Sequence, residues 1–346
     1  MTSNALVLAT GGSGFVGSHC IAQLLEKGYR VRTTIRSLAR ADDVRKMLQA
    51  GGVGEEQVKG VEFCVVELMK DDGWNEACRE ASYVLHVASP FPPAAPKHED
   101  ELVVPAREVT LRALRAAKAA TTVKRVVVTS SFAAIGYGHP NRTNPTYTEK
   151  DWTQIEAVHA YPKSKTVAER AAWDYIGKEG GEMKLAVVNP VAIFGPTLSK
   201  SYATSLELVL RLTNGTVPGL AKFNMGIVDV RDVADLHIRA MTDPKAAGQR
   251  YLAVSGDFMS MRQVALTLRE RLGDKAKQVT TQQIPDFIIR VVGFFDTTVG
   301  LIVDELGNFK HASSEKAKSE LGWQPRSRED AIVATAESLK QFGLLK

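Results

Sequence analysis

The chain has 346 residues, 44% of them hydrophobic, which is enough apolar content for one large α/β unit or two unequal domains with a full core. Its net charge of +5 comes from basic residues that are spread and not blocked, which excludes a nucleic-acid-binding stripe and leaves a mild positive field suited to a small anionic ligand. Three cysteines, Cys20, Cys64 and Cys78, show no metal-ligand spacing, and their sparse, odd number fits a reducing compartment.

Residues 5–9, Ala-Leu-Val-Leu-Ala, form a short apolar run that predicts a strand buried on both faces. The run is followed by TGGSGFVGSH at 10–19, which opens a helix with Val16, Cys20, Ile21, Leu24 and Leu25 on its apolar face. Gly11, Gly14 and Gly17 recur at three-residue intervals in this turn, allowing a tight bend, close approach of backbone to a pyrophosphate and close packing of helix on sheet. Ser13, Phe15 and Val16 join these glycines as candidates for cofactor binding. Residues 29–35 predict a second strand, with Arg36 at its end and Arg40 one helical turn on. An acid at the end of this strand would bind a ribose 2′-hydroxyl; arginine accepts a 2′-phosphate, so NADP(H) is the expected cofactor.

The glycine-rich residues 50–60 read as a flexible connection to a third strand at 61–66, with Glu67 and Leu68 at its end beside the adenine. A fourth strand, 82–88, delivers Val87, Ala88 and Ser89 to a proline-rich loop in which Phe91 is a candidate substrate contact. His86 reads as a core histidine. Residues 99–120 have helical spacing, with Pro105 at a place where a kink is expected. The fifth strand, 124–129, carries Thr129, Ser130 and Ser131 to the same carboxyl edge.

Tyr161-Pro162-Lys163-Ser164-Lys165 then opens a helix. A four-residue spacing puts the Tyr161 phenol and the Lys165 ammonium on one face, where a neighbouring cation stabilises a phenolate. A sixth strand at 184–188 ends in Asn189-Pro190-Val191, whose backbone suits the flank of a cofactor ring. Beyond it, helices are expected at 205–213 and 231–242, strands at 225–230 and 250–254, and a mostly helical remainder. The apolar residues 284–306 are interrupted by Asp286, Arg290, Asp296 and two glycines, so a pocket wall around Phe287, Val291 and Phe294 is expected in place of a membrane span. With no basic start and apolar core of a signal peptide either, the expected location is cytoplasmic. The predicted class is α/β: a Rossmann-type doubly wound parallel sheet over 1–190, and a smaller, partly interleaved substrate-binding region over 191–346 with segments returning to the first.

TGGSGFVGSH, Thr129-Ser130-Ser131, YPKSK at 161–165, VVNP at 187–190 and VDVRDVADLH at 228–237 together resemble the extended short-chain dehydrogenase/reductase family. The likeness is to its dihydroflavonol reductase and cinnamoyl-CoA reductase branch, microbial aldehyde and ketone reductases included. The resemblance implies Tyr161 as proton donor, Lys165 as its electrostatic support and holder of the nicotinamide ribose, and Ser131 as the group that positions the carbonyl oxygen. Arg36 already points to NADPH; the aromatic side chains of Phe91, Phe132 and Tyr202 are candidate substrate walls and suggest a small carbonyl substrate with an aromatic or bulky apolar group, and no metal, no nucleic acid or membrane partner, and a monomer or homodimer are expected. Three residues depart from the family pattern. Glu67 replaces an aspartate near the adenine, Glu108 stands about where an asparagine supports the lysine through water, and Gly136 stands where flavonoid reductases carry an asparagine.

Two other readings share the fold. A nucleotide-sugar epimerase or dehydratase is disfavoured because Phe132-Ala133-Ala134 offers no added acid/base pair and Arg36 disfavours NAD. A non-enzymatic dinucleotide sensor is disfavoured by the retention of both Tyr161 and Lys165.

Overall fold

The computed structural model describes residues 4–90, 98–139, 143–295, 300, 303 and 305–345. Seven parallel strands form the central sheet: β1 (Leu6–Thr10), β2 (Arg30–Ile35), β3 (Glu62–Val65), β4 (Tyr83–His86), β5 (Arg125–Thr129), β6 (Lys184–Pro190) and β7 (Gln249–Ala253). Their order across the sheet is β7-β6-β5-β4-β1-β2-β3. After β3 the chain returns to the far side of β1, so the strand order reverses between β1 and β4, and the crevice at their carboxyl ends is where an open sheet of this kind takes a ligand.

The inner strands are built from Val, Leu and Ala with no exposed face. Every residue of β1 is buried, as are Val126, Val127 and Val128 of β5 and Leu185 to Val188 of β6. Each of the Val and Leu side chains among them contributes about 1.5–3 kcal/mol on burial. Helices α1 (Phe15–Glu26) and α4 (Val230–Thr242) pack together on one face; α2 (Asp100–Ala119) and α3 (Ala160–Glu179) pack on the other. Pro105 lies inside α2, which continues through it.

Residues 50–60 are more ordered than a flexible connection. A helix, Glu55–Lys59, occupies them, and Val53 and Val58 are buried against the core. The single strand expected at 225–230 is two. Asn224–Met225 pairs antiparallel with Met259–Ser260, and Ile227–Asp229 pairs in parallel with Ala192–Phe194. The break falls at Gly226, where a Cβ would lie 2.5 Å from the Phe258 ring and 2.7 Å from Val191, so only glycine fits between these side chains.

The C-terminal part holds its own apolar cluster, with Phe194, Leu206, Val209, Leu268 and Leu339 at its centre. It contains the helices Met261–Leu272, Asp286–Phe295, Glu315–Leu321 and Arg328–Gln341. A short strand, His311–Ala312, pairs with Thr146–Tyr147 beyond β5. Among the described residues no helix is long and apolar enough to cross a membrane.

Candidate active site

The turn from β1 into α1 leaves no room for side chains. At Gly17 a Cβ would stand 2.3 Å from the Gly11 carbonyl oxygen, and at Gly12 it would stand 2.2 Å from Thr33 Oγ1. Gly11 has φ +74°, and a Cβ there would stand 3.1 Å from the Ala88 backbone. Gly14 precedes helix α1 and offers no side-chain cap, so the first N–H groups of the helix are not taken by a capping side chain and its dipole favours an anion there. This cradle fits a dinucleotide pyrophosphate. Thr10 fixes the opposite wall: its hydroxyl accepts the N–H groups of Val87 and Ala88 at 3.1 and 3.0 Å.

Around the adenosine end, Arg36 is exposed just past β2. Arg40 is paired with Asp43 at 2.9 Å, and Glu67 with Lys70 at 2.7 Å, both on the surface. Leu68 packs against the core beneath α2 and α3. Ser13 is exposed, while Phe15 and Val16 are half-buried at the start of α1.

Ser131 and Tyr161 come together from β5 and α3. Ser131 caps a short turn, Phe132–Ala134, and its hydroxyl accepts the Ala133 N–H at 3.1 Å. That contact uses a lone pair and leaves the hydroxyl proton directed elsewhere. The Lys165 ammonium lies 5.9 Å from the centroid of the Tyr161 ring and donates to Ser89 Oγ at 3.0 Å. Behind Lys165 is a cleft of about 20 Å³ lined by His86, Ala106, Thr110, Ser130 and Glu169. That space is about what one ordered water requires. Glu108 is not part of this cleft. It pairs with Arg107 at 2.9 Å on the outer face of α2, and Ala106, Val109 and Thr110 face Lys165 instead, so the place expected for Glu108 is corrected.

Thr129 and Ser130, candidates for cofactor binding at the end of β5, have partners for their hydroxyls within the protein. Ser130 Oγ donates to the buried Glu169 carboxylate at 2.5 Å, and Thr129 Oγ1 lies 2.7 Å from His237 Nε2. His237 Nδ1 is 2.7 Å from the Val233 carbonyl, which can only accept, so Nδ1 carries the proton and Nε2 accepts from Thr129.

A cavity of about 310 Å³ opens over Ser131 and Tyr161. Phe132, Ala133, Val191, Phe223, Met225 and Phe258 supply most of its apolar wall. Pro190 ends β6 just before Val191. Phe132 is 5% exposed and packs edge-on against Tyr137, Tyr147 and Phe258, so it serves core and cavity together. This packing accounts for Gly136, where a Cβ would meet the Phe132 ring at 2.2 Å. Tyr202 is not in the cavity lining; it packs against the C-terminal cluster and donates its hydroxyl to Glu207 at 2.8 Å. Phe287, Val291 and Phe294 are exposed and do not line it either, and Phe91 lies outside the described residues. Sequence reasoning missed Phe223, Met225, Phe258, Glu305 and Lys310. The one local signal was Gly226, whose bare Cα admits Phe258.

Three buried histidines flank this machinery. His19 Nε2 lies 2.8 Å from the Pro196 carbonyl, which can only accept, so Nε2 carries the proton and donates it. Desolvation lowers His19, His86 and His237 to about 4 each, against an ordinary 6.5. Because the folded values lie below the unfolded one, the unfolded chain takes up protons first as pH falls. Stability is complete above about pH 6.5 and is lost progressively toward pH 4, by about 3 kcal/mol per histidine. Burial raises Glu149 and Asp232, which opposes this loss. Denaturant midpoints measured from pH 7.5 to 4.5 are expected to fall steeply below pH 6.5; a flat profile would contradict neutral burial of these rings.

Residues 7–253 match the model of the NAD dependent epimerase/dehydratase family. The ketoreductase azaE of Aspergillus niger is 33% identical over 312 residues, covering 84% of this chain and 90% of that protein. Dihydroflavonol 4-reductase of Zea mays is 32% identical over 273 residues, covering 77% of this chain and 74% of that protein. Among solved structures, yeast methylglyoxal/isovaleraldehyde reductase Gre2 complexed with NADPH superposes with a TM-score of 0.77 at 28% identity, over 98% of this chain and 100% of that one. A match running from the first strand to the last strand of the sheet leaves no second fold to consider, and the chain belongs to the NAD dependent epimerase/dehydratase family, within the extended short-chain dehydrogenase/reductases.

Proposed function

We propose that this protein is an NADPH-dependent carbonyl reductase that converts an aldehyde or ketone carrying an aromatic or bulky apolar group to the alcohol. It is an oxidoreductase of the extended short-chain family, and NADPH is its cofactor. The observation that carries the substrate class is the meeting of Ser131 and Tyr161 at one apolar cavity, with Lys165 a helical turn behind. When bound in the crevice, NADPH supplies a hydride to the carbonyl carbon. Ser131, its lone pair taken by Ala133, donates to the carbonyl oxygen and orients it. As the carbon–oxygen π electrons move onto that oxygen, Tyr161 transfers its phenolic proton to it, and solvent later restores the phenol. The Lys165 ammonium stabilises the phenolate left behind.

The cavity is at the small end of ligand sites, and its walls are mostly aliphatic and aromatic. A sugar nucleotide needs many hydrogen-bonding partners, which disfavours the epimerase or dehydratase reading. NADPH oxidation measured against a panel of aromatic and aliphatic carbonyl compounds tests the proposal, and absence of turnover across the panel refutes it. The cofactor preference rests on Arg36. Calorimetry of wild type and Arg36→Asp is expected to show NADPH bound more tightly than NADH, with NADPH affinity falling roughly tenfold to a hundredfold in the variant as one charge-assisted contact is lost. Equal NADPH binding by both proteins would remove Arg36 from the cofactor site.

A further inference from the structure

The wall of the cavity also carries an ion pair that proton transfer does not use. Lys310 Nζ lies 2.6 Å from Glu305 Oε2, and the two side chains are 13% and 16% exposed. The ammonium also sits 3.8 Å from the centroid of the Tyr137 ring. Lys310, Glu305 and Tyr137 line the same cavity as Ser131 and Tyr161. The main chain holds the lysine in place: Asn224 Nδ2 donates to the Lys310 carbonyl at 3.2 Å, and the Lys310 N–H donates to Asn224 Oδ1 at 3.4 Å.

Such a pair is not explained by stability. Desolvation offsets most of its Coulombic gain, and apolar residues of similar volume usually replace a buried pair without loss. Burial pushes the Lys310 ammonium below the usual lysine range, with Glu305 opposing the shift, so the charge is held in place at a cost. An ammonium has three donors, more than one carboxylate oxygen uses. Glu305 already balances its charge, so an incoming carboxylate would bring a second anion to the site.

We propose that Lys310, held by Glu305, is a specificity-determining residue that binds a second, uncharged oxygen of the substrate, so that neutral bifunctional carbonyl compounds such as keto esters and diketones are preferred over hydrocarbon ketones and keto acids. This rests on the carbonyl reductase reading. Tyr161 and Ser131 engage the carbonyl that is reduced, and Lys310 donates to the other oxygen across the cavity.

The test uses NADPH oxidation by the full chain with methyl 4-oxopentanoate, 2-heptanone of matching length, and the 4-oxopentanoate anion. Wild type is expected to show a kcat/KM for the ester roughly tenfold or more above that for 2-heptanone and for the anion. In the double variant Lys310→Met/Glu305→Met, which leaves no unpaired charge, the ester preference is expected to vanish through a raised KM, with 2-heptanone changed less than about twofold. A preference that survives in the double variant overturns the proposal. So does a wild type that reduces 2-heptanone or the anion as efficiently as the ester, a result that needs no variant to fold and leaves the carbonyl reductase reading intact. Failure to reduce any of the three, alongside an inactive wider carbonyl panel, overturns that reading and this inference with it.

Discussion

Replacing Tyr161 by Phe is expected to lower kcat by roughly a hundredfold to ten-thousandfold while leaving NADPH affinity within about twofold. The substitution removes one oxygen and keeps the ring that lines the cavity and lies 5.9 Å from the Lys165 ammonium. KM is expected to change little, because the apolar walls that hold the substrate are untouched. Calorimetry with NADPH and single-turnover measurement of its oxidation separate the two effects. Unchanged turnover in the variant would remove Tyr161 from the chemistry. Lys165→Met is expected to differ in kind: its ammonium also reaches Ser89 Oγ, on the wall that Thr10 fixes, so cofactor affinity falls together with kcat.

Glu169→Ala is expected to destabilise the fold by about 3–5 kcal/mol, the typical result of breaking a buried pair and leaving its partner charged. Glu169 is 1% exposed. It accepts from Ser130 Oγ at 2.5 Å, Asn189 Nδ2 at 2.7 Å and Trp173 Nε1 at 3.2 Å, and it pairs with Arg250 Nε at 2.5 Å. Arg250 in turn donates to the carbonyls of Glu149 and Asp151 and stacks 3.7 Å from the Trp152 ring centroid. Chemical denaturation measures the loss. Replacing both partners, Glu169→Leu/Arg250→Met, is expected to recover most of it, and a double variant as unstable as the single one would show that the charge left on Arg250 is not the cause. Asn189 also donates to the Ser131 carbonyl at 3.2 Å, so Glu169→Ala is expected to reduce kcat under conditions where the protein remains folded.

The sheet was legible because strands buried on both faces must be apolar runs, and β1, β5 and β6 are such runs. The glycine turn was legible for a related reason: a backbone that leaves no room for Cβ at Gly12 and Gly17 has one choice of residue. The Tyr161–Lys165 relation follows from helix geometry alone. What could not be read depends on partners distant in sequence. That Glu169 takes the Ser130 hydroxyl could not be read, because nothing near Ser130 in the sequence reveals it. Glu108 was placed by the family resemblance, but the rotation of α2 aims Ala106 and Thr110 at Lys165. Hydrophobicity misled at Phe287, Val291 and Phe294, which are 68%, 59% and 86% exposed, while charged Lys310 and Glu305 proved to line the cavity.

The position of β7 also orders events in time. This strand, Gln249–Ala253, lies against β6, and it brings Arg250 to Glu169 on the helix that carries Tyr161. The glycine turn, Ser131, Tyr161 and Lys165 are all synthesised before Arg250, which follows Lys165 by 85 residues. Until then β6 is an open edge, and Glu169 has no cation to justify its burial. Pairings this distant along the chain also close slowly. The nascent polypeptide therefore carries Ser131, Tyr161 and Lys165 before the helix that bears the last two has its full set of partners, and Glu169 gains its cation only when Arg250 follows.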